Sequence, residues 1–165
     1  MTRYITVVAF CVFAVGTPAQ ISSPHVHNVS IVDGSKNPEL IPDSTAYRLY
    51  LHNLSVPANA SEEQVKAQSS RLAKLNLSVS DYGQVLIILA DFRSRYDAWI
   101  GRWNAEAQQK REHFDPSLLW QESENIVTDT QRALQTQLSV EGLFRFANQV
   151  QQEKKHMQII TGGTQ

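Results

Sequence analysis

The chain has 165 residues, 42% of them apolar and 19% charged, and its 15 lysines and arginines nearly balance its 16 aspartates and glutamates. This length corresponds to one domain, and because the basic residues are scattered along the chain we expect no nucleic-acid partner. The single cysteine, Cys11, excludes an internal disulfide and a zinc site built from cysteines.

Residues 1–19 have the pattern of a secretory signal peptide. Arg3 supplies positive charge, residues 5–15 form an apolar run, and small residues follow it. A membrane anchor is the alternative, but the run is shorter than the roughly 20 residues that span a bilayer. We therefore expect cleavage between Ala19 and Gln20, and a secreted or periplasmic protein whose mature chain has no transmembrane segment.

Residues 20–42 differ from the rest of the chain because prolines and Gly34 interrupt them and no helical period is present. We interpret them as an extended arm, which either adds one short strand or simply lies across the domain. A short alternating stretch within them carries Val26, Val29, Ile31 and Val32.

The sequence contains four Asn-x-Ser triplets, which have two interpretations. In a eukaryotic secretory protein they would be glycan acceptors. Three of the four lie where a helix is predicted to end or begin, and there Asn and Ser are favoured because they cap helices. The triplets begin at Asn28, Asn53, Asn59 and Asn76.

Capping residues mark the helices after position 42. Ser61 and Gln64 have the spacing of a capping box. Ser78 and Ser139 are placed like N-caps, and Asp115 precedes a proline suited to a first helical turn. We predict a bundle domain over 43–160, a disordered tail over 161–165, and helices over 44–54, 62–75, 79–111, 116–137 and 140–158.

The third predicted helix carries a coiled-coil-like apolar seam with a repeat of about 3.5 residues. Its stretch 85–90 is apolar on every side, so we expect it either to be surrounded by other helices or to face another chain. The seam residues are Tyr82, Val85, Leu89, Phe92, Tyr96, Trp99 and Trp103. The predicted fold is therefore all-α: an antiparallel bundle of four to five helices with one long central helix.

Catalytic motifs and metal-binding patterns are weak or missing in this sequence. No phosphate-binding loop, zinc-protease motif or serine-nucleophile motif occurs. Two pairs of residues are alternatives for a metal site. His25 and His27 form a single His-x-His pair in the arm, which is weak evidence for a site. Glu153 and His156 form one Glu-x-x-His motif, whereas a di-metal helical bundle needs a second such motif on another helix. We expect no enzyme activity and no cofactor.

The strongest candidate binding residues are Tyr96, Trp99 and Trp103 with Arg95 and Arg102, since aromatic residues and arginine are enriched at interfaces. Aromatic residues at helical spacing also form ordinary cores. The leading hypothesis is association through the long helix, with a second copy or another macromolecule. The alternative is an apolar pocket for a small molecule, between the long helix and the last one.

Overall fold

The computed structural model describes residues 30–109 and 115–161. Within them the chain is mostly helical, with five α-helices, a short 3-10 helix over Pro38–Leu40, and two short strands. The elements are β1 (Ser30–Asp33), α1 (Asp43–Leu54), α2 (Glu62–Ala73), α3 (Val79–Gln109), α4 (Ser117–Gln137), α5 (Val140–Lys154) and β2 (Gln158–Thr161). The all-α class is confirmed; β1 is the short strand that one interpretation of the arm included, whereas β2 was not expected. The predicted signal peptide, its cleavage site and residues 20–29 of the arm lie outside the described residues.

The starts of α2 and α5 have the capping contacts that the sequence indicated, whereas α4 begins at Ser117, after Pro116, and Asp115 Oδ1 accepts a hydrogen bond from the Ser117 N–H (2.9 Å). The Ser61 Oγ accepts a hydrogen bond from the Gln64 N–H (3.3 Å), and the Gln64 Oε1 accepts one from the Ser61 N–H (2.8 Å). The Ser139 Oγ accepts from the Gly142 N–H at 3.0 Å. These bonds satisfy backbone donors that a helix leaves free at its first turn.

The long helix α3 is continuous through its 31 described residues, which gives it a length of about 45 Å. It runs antiparallel to α4, because Trp99 contacts Leu119 while Asp81, near the start of α3, contacts Ser139 beyond the end of α4. The helix that packs against all four others is α1. The long helix therefore does not occupy the centre of the bundle.

The stretch 85–90 of α3 is buried on one side only. Val85, Ile88 and Leu89 are buried, whereas Ala90 is exposed and Ile87 is 63% exposed. Among the described residues α1 and α4 pack against one side of α3, and the opposite side is exposed. The first alternative, helices around the whole stretch, is therefore not what the structure has, and the second, contact with another chain, stays a prediction.

The predicted fifth helix, 140–158, is wrong at its C-terminal end, because α5 stops at Lys154 and residues 158–161 form β2. Strand β2 pairs antiparallel with β1, so that Val32 faces Ile159 across the ribbon. Gly34 allows this crossing: a Cβ there would lie 1.8 Å from the Lys154 carbonyl oxygen, and the Gly34 N–H donates to the Met157 carbonyl at 2.9 Å. Thr161, predicted as the start of a disordered tail, belongs to β2.

One apolar core joins the helices, and Val32 and Ile159 cover it from the ribbon. Among residues 30–109 and 115–161, no helix combines the length and the apolar character needed to cross a bilayer. The largest fully buried aromatic side chains of the core are Phe92 and Phe146.

Candidate functional site

Trp99 is a core residue that fastens α3 to the beginning of α4. It is only 7% exposed, and its indole N–H donates a hydrogen bond of 2.6 Å to the Leu119 carbonyl. A buried indole N–H requires such an acceptor. The apolar seam of α3 predicts that Trp99 lies in a row of apolar residues. It does not indicate the hydrogen-bond acceptor, because Leu119 is on α4.

Aromatic rings continue from Trp99 in both directions along α3. Tyr96 lies 5.0 Å from it and Trp103 5.6 Å, measured between ring centroids, and both are half-buried. These spacings are those of favourable aromatic pairs. The three predicted aromatic residues therefore form one row, and that row packs mainly against its own neighbours.

Three side chains that sequence analysis did not include complete this cluster. Trp120 of α4 lies 5.2 Å from Trp103 in an edge-to-face arrangement, and His52 of α1 lies 5.4 Å from Tyr96. The Arg48 guanidinium lies 5.3 Å from the centroid of Trp120, within range of a cation–π contact. Trp120 is 45% exposed, so the cluster opens to solvent at this end of the bundle.

Arg95 and Arg102 do not point toward the aromatic row, because both pair with carboxylates of α4. Arg95 Nη2 lies 2.8 Å from Asp129 Oδ2, and Arg102 pairs with Glu122. The four side chains line an open groove of about 420 Å³ between α3 and α4. The groove is charged and lies away from α5, unlike the apolar pocket proposed from the sequence.

The open side of α3 is the second candidate surface, called here the outer face. Its positions recur every three or four residues and so lie on one side of the helix, opposite the buried Val85 and Phe92. No charged side chain occupies them, and a Cβ added at Gly83 or Gly101 would have no atom within 4 Å. The outer face consists of Gly83, Ile87, Ala90, Ser94, Ala98, Gly101 and Ala105.

Charged side chains flank the outer face on both sides. On one flank Arg93 Nε pairs with Asp97 Oδ2 at 2.8 Å. On the other flank Arg95 Nη1 lies 3.8 Å from Asp91 Oδ2. The two carboxylates stay accessible, with the Asp91 side chain 67% exposed and that of Asp97 42% exposed.

Two titratable groups near these surfaces have shifted pKa values. Burial lowers the pKa of His52 below its ordinary value, and the nearby Arg93 lowers it further. Burial also raises the pKa of Tyr96. Across the described part of the chain, no three His, Cys, Asp or Glu side chains lie close enough together to hold a metal ion. His25 and His27 lie outside it.

A buried carboxylate joins the beginnings of α3 and α5. Asp81 is 4% exposed and accepts hydrogen bonds from the Ser139 N–H (2.8 Å), the Ser139 hydroxyl (2.7 Å) and the Ser78 hydroxyl (2.8 Å). The Ser139 backbone bond, then the bonds from the two hydroxyls, hold the pKa of Asp81 below its ordinary value. All three donors belong to helix caps, so this carboxylate serves the fold.

Comparison of the chain with protein families, with curated proteins and with solved structures finds no match. The assignment of a role therefore depends on the surfaces described above.

Proposed function

We propose that this protein is non-enzymatic and acts by association, with the outer face of α3 as its binding surface. The observation that supports this most directly is the 63% exposure of Ile87 on a face without charge. From Gly83 to Ala105 this face extends about 33 Å, the length of a whole helix in an ordinary bundle. A long uncharged helix face is characteristic of packing against another element.

The side chains of the outer face also favour a helical partner. Glycine and alanine let the backbones of two helices approach toward the lower end of the usual 8–10 Å interaxial range. The absence of side-chain bulk at Gly83 and Gly101 leaves room for a partner's side chains. We further propose, from the pattern of residues 1–19, that this association takes place outside the cytoplasm.

The aromatic cluster supports a separate role less well. Trp99 is buried, and the rings of Tyr96 and Trp103 pack against neighbouring rings, so this row contributes mainly to the core. Trp120 is 45% exposed, and the Arg48 guanidinium already lies over its ring. We therefore place the binding surface on the opposite side of α3.

A photo-cross-linking amino acid tests this proposal. It replaces Ala90 on the outer face, or, as the matched control, the exposed Ala73 on α2. Each variant is irradiated alone and in an extract of the compartment to which the protein is exported. We expect a discrete adduct from position 90 and not from position 73. Equal adducts from both positions, or none from position 90, would refute the proposal.

A further inference from the structure

The charges beside the outer face follow the same order in both directions along α3. Two arginines flank Ser94 directly, and two aspartates lie three residues away on either side, with an alanine beyond each. A sequence that reads alike in both directions presents the same pattern to an antiparallel copy of itself. The central residues are Asp91, Phe92, Arg93, Ser94, Arg95, Tyr96 and Asp97.

From this symmetry we infer that the partner of the outer face is a second copy of this chain, packed antiparallel with a twofold axis at Ser94. The inference rests on the proposed function and names its partner. A twofold interface is self-complementary, so each contact occurs twice. The flanking charges make the face complementary to a second copy, and the small side chains set the direction of that copy.

The pairing that this axis creates is sterically matched. The largest side chain of the face, Ile87, lies opposite Gly101, where nothing within 4 Å occupies the space of a Cβ. The other positions oppose small residues, so the helices approach closely along their whole contact. The opposed pairs are Gly83 with Ala105, Ile87 with Gly101, Ala90 with Ala98, and Ser94 with itself.

The flanking charges are complementary in the same arrangement. In an antiparallel pair related by this axis, each flank of one helix faces the same flank of the other. Arg93 of one copy then lies about two residues, or roughly 3 Å along the axis, from Asp97 of the other. Arg95 and Asp91 are related in the same way on the second flank. Each carboxylate already has one arginine in its own chain, and its exposed portion faces the second.

A parallel pair lacks the steric match of the outer face. Residues of the face would then meet their own copies, so that Ile87 would contact Ile87 and hold the helices apart beside Gly83 and Ala90. The flanking charges do not distinguish the two directions, because each flank of a parallel pair faces the opposite flank and places Arg93 of one copy about 3 Å along the axis from Asp91 of the other.

Engineered disulfides test the axis and the direction together, in full-length purified protein whose only native cysteine is replaced (Cys11→Ala). Ser94→Cys places two thiols on the twofold axis, within the Cβ separation of about 4 Å that a disulfide needs. Gly83→Cys is the matched control, because two copies of position 83 lie about 33 Å apart in this arrangement. When Gly83→Cys chains are mixed with Ala105→Cys chains, the thiol at position 83 of one chain lies opposite the thiol at position 105 of the other.

Under mild oxidation we expect the Ser94→Cys chain to form disulfide dimers about tenfold or more faster than the Gly83→Cys chain, as the high effective concentration within a complex requires. The mixture of Gly83→Cys and Ala105→Cys chains should cross-link as fast as Ser94→Cys. Equal rates for Ser94→Cys and Gly83→Cys would overturn the antiparallel pairing.

Sedimentation of the unmodified protein distinguishes this inference from the proposed function. A concentration-dependent monomer–dimer equilibrium is the expected result. A strict monomer throughout the micromolar range would overturn the second copy as the partner. If position 90 still gave an adduct in the extract but none in purified protein, the proposed function would remain and only the homodimer would fail.

Discussion

Replacing Gly142 with alanine has two effects of opposite sign on the free energy of unfolding. Alanine in place of glycine within a helix normally stabilises it by about 0.5–1 kcal/mol. At Gly142, however, the added Cβ would lie 2.6 Å from Oδ2 and 2.7 Å from Cγ of Asp81. These separations are far shorter than van der Waals contact, so one of the two groups has to move.

The Asp81 carboxylate has little freedom to move. It is held by the Ser139 N–H and by the hydroxyls of Ser139 and Ser78, all within 2.7–2.8 Å. Overpacking of such a site costs about 1–3 kcal/mol. We therefore expect Gly142→Ala to destabilise the protein by about 1–2 kcal/mol after the helical gain is subtracted.

Urea unfolding followed by circular dichroism measures this effect, with Gly101→Ala as the control. Gly101 is also helical, but no atom lies within 4 Å of an added Cβ, so we expect a gain of about 0.5–1 kcal/mol. Both variants are measured at concentrations low enough that the midpoint no longer depends on dilution. In an Asp81→Ala background the penalty of Gly142→Ala should disappear. A stabilising effect of Gly142→Ala in the unaltered protein would refute this reasoning.

Two further predictions concern buried groups. Trp99→Phe removes the 2.6 Å hydrogen bond to the Leu119 carbonyl and should lower the free energy of unfolding by about 1–2 kcal/mol. This loss should exceed that of Trp120→Phe, whose ring is 45% exposed, and equal losses in urea unfolding would contradict the role given to Trp99. Because hydrogen bonds lower the pKa of Asp81 in the folded state, its contribution is complete above the unfolded value near 3.8 and is lost as the pH falls through the lower folded value. Asp81→Asn should therefore reduce stability at pH 7 and flatten the fall in stability below pH 4, and an unchanged pH profile would show that Asp81 is not responsible.

The helices were predictable because their signals are local. The Ser61 capping box lies within four residues, and the seam of α3 repeats every three or four, so short segments contain the whole pattern. The same property explains the error at the end of α5. Its termination depends on Gly34 and on the pairing of Val32 with Ile159, which bring together distant parts of the chain.

The candidate site was predictable only on the residues of α3 itself. Tyr96, Trp99 and Trp103 follow from their spacing, but Trp120 and His52 enter the cluster from other helices and leave no local signal. For the same reason the pairing of Arg95 with Asp129 was missed. The sequence left open whether the stretch 85–90 is surrounded by helices or faces another chain, and it did not indicate that Ile87 is its large exposed residue.

The ribbon between β1 and β2 joins positions separated by roughly 125 residues, and closing so large a loop has a considerable entropic cost. A pair of four-residue strands is too short to meet that cost without help. The ribbon therefore depends on the packed helices, which hold the two strands within reach of each other. Amide protons in the ribbon report on the completed native state: slow hydrogen exchange there means that the whole bundle is intact.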